Sequence, residues 1–164
     1  MENLINGLLD YARISQQTPA EITDLNEMVH DITDAIVPRH FKVHIDKLPA
    51  ITTQRLKLEQ VFSNLISNAV KYTPHKNPQI KITCHEYSNF FQFSVIDNGI
   101  GIDPEFHDKI FEIFQTLREK NEKESTGIGL AIVRKIIEEE RGRITLKSAA
   151  GKGAEFTFTW KKTP

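Results

Sequence analysis

Asn64-Leu65-Ile66-Ser67-Asn68-Ala69-Val70-Lys71-Tyr72-Thr73-Pro74 closes the longest helical pattern in the chain. That pattern starts near Gln54 and sets Leu58, Val61, Phe62, Leu65, Ile66 and Ala69 on one apolar face, the spacing of a helix packed on a core. Thr73-Pro74 stops it, because proline pushes the residue before it out of helical dihedrals. Asn64, Asn68 and Lys71 fall at i, i+4 and i+7, so two amides and an ammonium share a second face beside the apolar stripe. An amide oxygen is a hard, neutral ligand suited to a Mg²⁺ ion that keeps water and nucleotide phosphates in its shell, and a lysine meets phosphate charge directly. The competing reading is an ordinary solvated face, although such faces are usually built from Glu and Lys, which favour helices more than asparagine does.

Downstream of this helix, Ile80, Ile82 and Cys84 alternate with polar neighbours, and Phe91, Phe93 and Val95 do the same. A period of two predicts half-buried strands, close enough in sequence for an antiparallel hairpin. Asp97 continues the inward row of the second strand and opens Asp97-Asn98-Gly99-Ile100-Gly101. A carboxylate at the end of a buried row needs a hydrogen-bonding partner; the exocyclic amine of adenine is one, with glycines letting the backbone come close. A simple Asn-Gly turn is the alternative.

A third feature is Ser125-Thr126-Gly127-Ile128-Gly129-Leu130, where a polar loop gives way to a helix over 127–140 carrying Ile128, Leu130, Ala131, Val133, Ile136 and Ile137. Backbone N–H groups at such a junction can cradle phosphate. It is not a dinucleotide fingerprint, since no strand precedes it and the third glycine is missing, nor a Walker loop, since no Gly-Lys-Ser/Thr follows.

The remaining elements fill in around these. Residues 3–15 read as a helix, a dimer or interdomain element, and 25–36 as a second one, capped by Asp24 or Thr23 and ended by Pro38. A short strand is expected over 42–48, a helix over 105–114, and a polar, highly charged lid over 115–126. Two closing strands, 143–148 and 154–161, flank Ala150-Gly151-Lys152-Gly153 and place Phe156, Phe158 and Trp160 on one face. Hairpins leave one sheet face for helices, so the fold class is α+β: a two-layer α/β sandwich with a mixed, largely antiparallel sheet covered by helices on one face.

Composition narrows the function. A chain of 164 residues, 39% hydrophobic, suffices for one domain with a single core. A net charge of −1 gives no long-range field to attract nucleic acid or an anionic membrane. Cys84 stands alone, so no internal disulfide is expected and a reducing, cytoplasmic setting fits. No apolar run approaches the ~20 residues that span a bilayer.

Taken in order, Asn64 to Thr73, Asp97 to Ile102, Phe111-Glu112-Ile113-Phe114-Gln115 and Thr126-Gly127-Ile128-Gly129-Leu130-Ala131-Ile132 resemble the nucleotide boxes of sensor histidine kinases. The resemblance spans roughly 50–160 and implies the Bergerat ATP-binding fold of that superfamily. By similarity, Asn68 ligates Mg²⁺, Asn64 supports metal and phosphates, Lys71 contacts phosphate and Tyr72 packs against adenine. Asp97 takes the adenine amine; Gly99, Gly101 and Ile102 line the base pocket. Phe114, Arg118 and the backbone of Thr126, Gly127, Ile128, Gly129 and Leu130 belong to lid and phosphate cradle, with Asn64, Lys71 and Arg118 nearest the chemistry. Leu4 to Ile14 resembles the end of the second helix of the family's dimerisation domain, so 1–18 is expected as remnant and linker and 19–164 as the catalytic domain.

The resemblance implies transfer of the ATP γ-phosphoryl group to a histidine on a separate dimerisation domain, and onward to a response-regulator receiver domain. The chain by itself is expected to be monomeric. His30-Asp31 lacks the basic residue and Thr-Pro that follow a phosphoacceptor and is expected to be a surface histidine, while His107-Asp108 falls in the helix leading to Phe111 and is expected in a capping or exposed role. ATP-hydrolysing relatives carry a glutamate where this chain has Asn64, which removes the usual base for water. A serine kinase of the same superfamily and a non-catalytic docking module are the other readings. Ser125 and Arg141 stand where glycine is common in the family.

Overall fold

Phe62 in mid-helix meets Phe93 in mid-strand edge to face, ring centroids 5.5 Å apart, and Phe158 completes the trio at 5.4 and 5.3 Å. All three are fully buried, and the layers form around them. The computed structural model describes Ile5, Asn6, Leu9, Ala12, Arg13, 16–112 and 128–162.

In chain order the elements are β1 (Glu21–Asp24), α1 (Leu25–Ile36), β2 (Lys42–Ile45), β3 (Ala50–Thr53), α2 (Arg55–Lys71), β4 (Gln79–Glu86) and β5 (Phe90–Asp97). Two 3₁₀ turns (Pro104–Phe106 and Lys109–Phe111), α3 (Gly129–Glu139), β6 (Ile144–Ser148) and β7 (Ala154–Lys161) follow. Ile5, Asn6, Leu9, Ala12 and Arg13 are helical, in line with the leading pattern.

The main sheet has the order β2-β4-β5-β7-β6, with β2 parallel to β4 and every other neighbour antiparallel. This is the mixed, largely antiparallel sheet expected, and β4–β5 is the expected hairpin. Its inner rows, Ile80 and Ile82, Phe91, Phe93 and Val95, and Phe156, Phe158 and Trp160, are buried with Leu58, Val61, Phe62, Leu65 and Ile66 of α2. α2 packs against both α1 and α3. The opposite face is polar: Thr83, Ser94, Thr157 and Thr145 are successive cross-strand partners, with Ser94 Oγ 2.8 Å from Thr157 Oγ1.

Asp24 caps α1 by accepting from the Glu27 N–H at 3.1 Å, as the sequence pattern predicts. Two expectations need correction. The strand expected over 42–48 ends at Ile45. The helix expected over 105–114 is, over its described residues, two separate 3₁₀ turns, because only Ile110 of these six residues is buried, too little to repay helix nucleation. β1 and β3 carry no clear strand pattern; they pair into a two-stranded sheet that Trp160 of β7 joins by donating Nε1–H to Thr53 Oγ1 at 3.1 Å.

Candidate nucleotide site

β5 delivers Asp97 to the end of the buried row, opposite Ala154 of β7. Its carboxylate accepts the Gly99 N–H at 2.9 Å. Burial drives its pKa above the ordinary carboxylate value, while hydrogen bonds from the Gly99 and Ala154 backbone and from Thr73 pull the other way. The Thr73 hydroxyl has one proton to share between Asp97 and the Ala69 carbonyl, 2.7 Å away. Asp97 is therefore a buried acceptor whose charge the chain itself compensates only in part, as a site for an amine requires.

Asn98-Gly99 does not make a hairpin turn. Asn98 Oδ1 accepts the Gln79 N–H at 2.7 Å and its Nδ2 donates to Asn77 O at 2.9 Å, which knits the end of β5 to the segment before β4. Gly99 then passes so near α2 that a Cβ there would overlap the Tyr72 carbonyl. Gly101, at φ 72°, is pressed likewise against the Ala149 carbonyl. The glycines thus admit the protein's own backbone first.

The loop is stitched to the β6–β7 connection as well. Gly151 N–H donates to Ile100 O at 2.7 Å, Gly153 N–H to Gly99 O at 3.1 Å, and Ile102 N–H to Ser148 Oγ at 2.8 Å. Ser148 and Thr73 are site residues that sequence reasoning misses, because single hydroxyls carry no periodic signal; Gly151 and Gly153, both at positive φ, read only as a turn. Ile102, partly buried, packs against the core.

On α2, Asn64, Asn68 and Lys71 are half-buried beside the apolar face, as their spacing requires. Lys71 Nζ lies 5.5 Å from the centroid of the Tyr72 ring, so the ammonium and the ring are neighbours at the helix end. Ile100 N–H donates to Tyr72 O at 3.0 Å and joins this end to the Asp97 loop. Asn64 faces α3: its Nδ2 donates to Gly129 O at 3.1 Å, and its Oδ1 accepts from Gln60 Nε2 at 3.0 Å. Among the described residues, the Asn68 amide has no hydrogen-bond partner, and no three His, Cys, Asp or Glu side chains gather into a metal cage. The donor set present is one amide oxygen with a lysine nearby. That fits a Mg²⁺ ion completed by phosphate and water, and Asn68 is the residue that would hold it.

Ile128, the N-cap residue of α3, makes no side-chain cap hydrogen bond to that helix. Ile128 is buried, while Gly129 and Leu130 are half-buried. Phe114, Arg118, Thr126 and Gly127, expected in lid and cradle, lie outside the described residues.

The sequence profile of the histidine kinase-, DNA gyrase B-, and HSP90-like ATPases matches residues 53–164. The chain belongs to that family. The phytochrome-like protein Cph1 of Synechocystis is 39% identical over 164 residues, covering 97% of this chain and 22% of Cph1. The chain thus spans about a fifth of the length of the curated relatives it first matches. Among solved structures, full-length ShkA in complex with AMPPNP superposes with a TM-score of 0.81 at 26% identity, over 98% of this chain and 36% of ShkA. The nucleotide-free catalytic domain of the histidine kinase ThkA gives 0.75 at 29% identity, over 90% of this chain and 100% of that domain. This ATPase domain is homologous to the catalytic domains of sensor histidine kinases, and the expected α+β sandwich is theirs.

Proposed function

We propose that the chain is the ATP-binding catalytic domain of a two-component sensor histidine kinase. It transfers the γ-phosphoryl group of Mg²⁺-ATP to an imidazole nitrogen of a histidine on a separate dimerisation domain. A response-regulator receiver domain then takes the phosphoryl group. In this reading, 19–164 form the catalytic domain, 1–18 are the end of a dimerisation helix and its linker, the chain by itself is monomeric, and the domain works in the cytoplasm.

Asn64 is the observation that carries the reading. At the place where ATP-hydrolysing relatives hold a base carboxylate stands a neutral amide already engaged with Gly129 and Gln60. Without a base for water, the productive nucleophile comes from another domain. Asp97 accepts the adenine amine, with Gly99, Gly101, Ile102 and Tyr72 around the base. Lys71, Asn64 and the first turn of α3 meet the phosphates, joined by Thr126, Gly127 and, from the lid, Phe114 and Arg118. Asn68 would hold Mg²⁺, which would supply charge neutralisation at the phosphates.

Calorimetric titration with Mg²⁺-ATP tests this. The wild type binds, Asp97→Asn and Asn68→Ala bind at least tenfold more weakly while staying folded, and an added phosphoacceptor domain becomes labelled from ATP. A folded wild type that ignores Mg²⁺-ATP would move the chain to the docking-module reading.

A further inference from the structure

The Gly129 carbonyl can only accept, so it fixes which end of the Asn64 amide faces α3: Nδ2, at 3.1 Å. The amide oxygen then points back along α2, where only a donor can meet it. Gln60, one turn earlier on the same helix, supplies that donor at 3.0 Å. Gln60, Asn64 and Gly129 form a directed chain of hydrogen bonds, each half-buried, running from the middle of α2 to the first residue of α3.

We propose that Gln60 is a positioning residue for Mg²⁺-ATP: it holds the Asn64 amide in the one orientation that ties the first turn of α3 to the phosphate-facing side of α2. The proposal rests on the nucleotide reading above. If Gln60 is removed, the Gly129 carbonyl is, among the described residues, the one group left opposing a half-turn of the Asn64 amide. That turn sets Oδ1 against the Gly129 carbonyl, acceptor against acceptor, and frees the start of α3. The penalty falls on the triphosphate and metal end of the ligand. The adenine end, gripped at Asp97, is served by separate bonds from Gly99, Ala154 and Thr73.

The test is a double-mutant cycle on the whole chain. Affinities for Mg²⁺-ATP and for ADP without metal are measured by calorimetry in wild type, Gln60→Met, Asn64→Ala and the double variant. Loss of one neutral hydrogen bond predicts that Gln60→Met weakens Mg²⁺-ATP roughly three- to tenfold and ADP by about twofold or less. In the Asn64→Ala background the Gln60 substitution costs nothing further, because the residue acts through Asn64. Gln60→Lys restores a donor, on a side chain one bond longer, and returns the ratio of the two affinities toward the wild-type value. Independent, multiplying effects, an unchanged Mg²⁺-ATP affinity in Gln60→Met, or a Gln60→Lys ratio as low as that of Gln60→Met would each overturn the proposal. If the wild type itself fails to bind Mg²⁺-ATP, the nucleotide reading falls as well. If it binds but the cycle is additive, only the role of Gln60 falls.

Discussion

The Gly99 N–H donates to Oδ1 of Asp97 at 2.9 Å, two residues back along the chain, so the turn that follows β5 is folded around that carboxylate. Asp97 has a raised pKa, with burial the largest cause, and this sets opposite pH trends for stability and for binding. With the folded-state pKa above the usual 3.8, the protonated group contributes stability that is complete below 3.8 and lost as pH rises through the folded-state value. In the proposed contact, adenine needs the ionised form. ATP affinity is therefore expected to decline on acidification sooner than an ordinary aspartate would dictate, while this group's contribution to stability grows. Calorimetry and thermal melts from pH 7 downward check both signs, and in Asp97→Asn the residual affinity no longer follows this titration.

Gly99 faces a second constraint from α2. A Cβ at this position overlaps the Tyr72 carbonyl and comes within 2.7 Å of Thr73 Oγ1 and 2.9 Å of Asp97 Oδ1. The first is backbone at a helix end and has no rotamer to yield. Gly99→Ala is expected to cost about 1–3 kcal/mol in chemical denaturation, the usual range for overpacking. It is also expected to weaken ATP binding, because the displaced atoms include the carboxylate of the proposed adenine contact. A variant with wild-type stability and affinity would contradict the packing described.

Much of this site is legible in the sequence, and the reasons are local. α2 declares itself because Leu58, Val61, Phe62, Leu65, Ile66 and Ala69 keep helical period along its length and Thr73-Pro74 ends it. Asp97 follows from strand parity alone. β1 and β3 are illegible because four residues give too little alternation, and their pattern runs backwards: Ile22 points outward, 81% exposed, while Thr23 and Thr53 are buried. The apolar spacing of Phe106, Ile110 and Phe111 imitates a helix, yet Phe106 is 38% exposed, Phe111 is only partly buried against the core, and Ile110 alone of the three is buried. Gln60 escapes notice because a glutamine on a half-solvated helix face has no sequence signature; the acceptor at the end of its hydrogen-bond chain, Gly129 O, is far away in sequence.

Gln54 occupies the N-cap of α2 in an extended conformation but makes no side-chain cap bond, and its Oε1 is buried without a partner. The glutamine is too long to return to the N–H groups of the first turn. Gln54→Asp brings a carboxylate to cap distance, in register with the helix dipole, and removes the orphaned oxygen. The expected gain is about 1 kcal/mol, read as a higher melting temperature with ATP affinity unchanged.

Arg141 stands where family members commonly have glycine, and the structure shows what it costs. Its φ is 60°, and it is the non-glycine residue at positive φ among the described residues. Arg141 N–H donates to Glu138 O at 3.0 Å and Gly142 N–H to Ile137 O at 2.8 Å, the paired bonds of a Schellman ending for α3. That ending demands a left-handed residue at position 141, and a side chain there is disfavoured by roughly 1–2 kcal/mol. Gly142 cannot relieve the strain by shifting, since a Cβ there would already overlap the Thr159 carbonyl, which shows how closely the backbone passes β7. Arg141→Gly is therefore expected to stabilise the fold by about 1 kcal/mol, the steric gain less the entropy that glycine adds to the unfolded chain. Arg141 is exposed and lies at the far end of α3 from Gly129, so Mg²⁺-ATP affinity stays unchanged. Urea denaturation of the two proteins measures the difference; a midpoint that stays put or falls would show that this ending holds its arginine without strain.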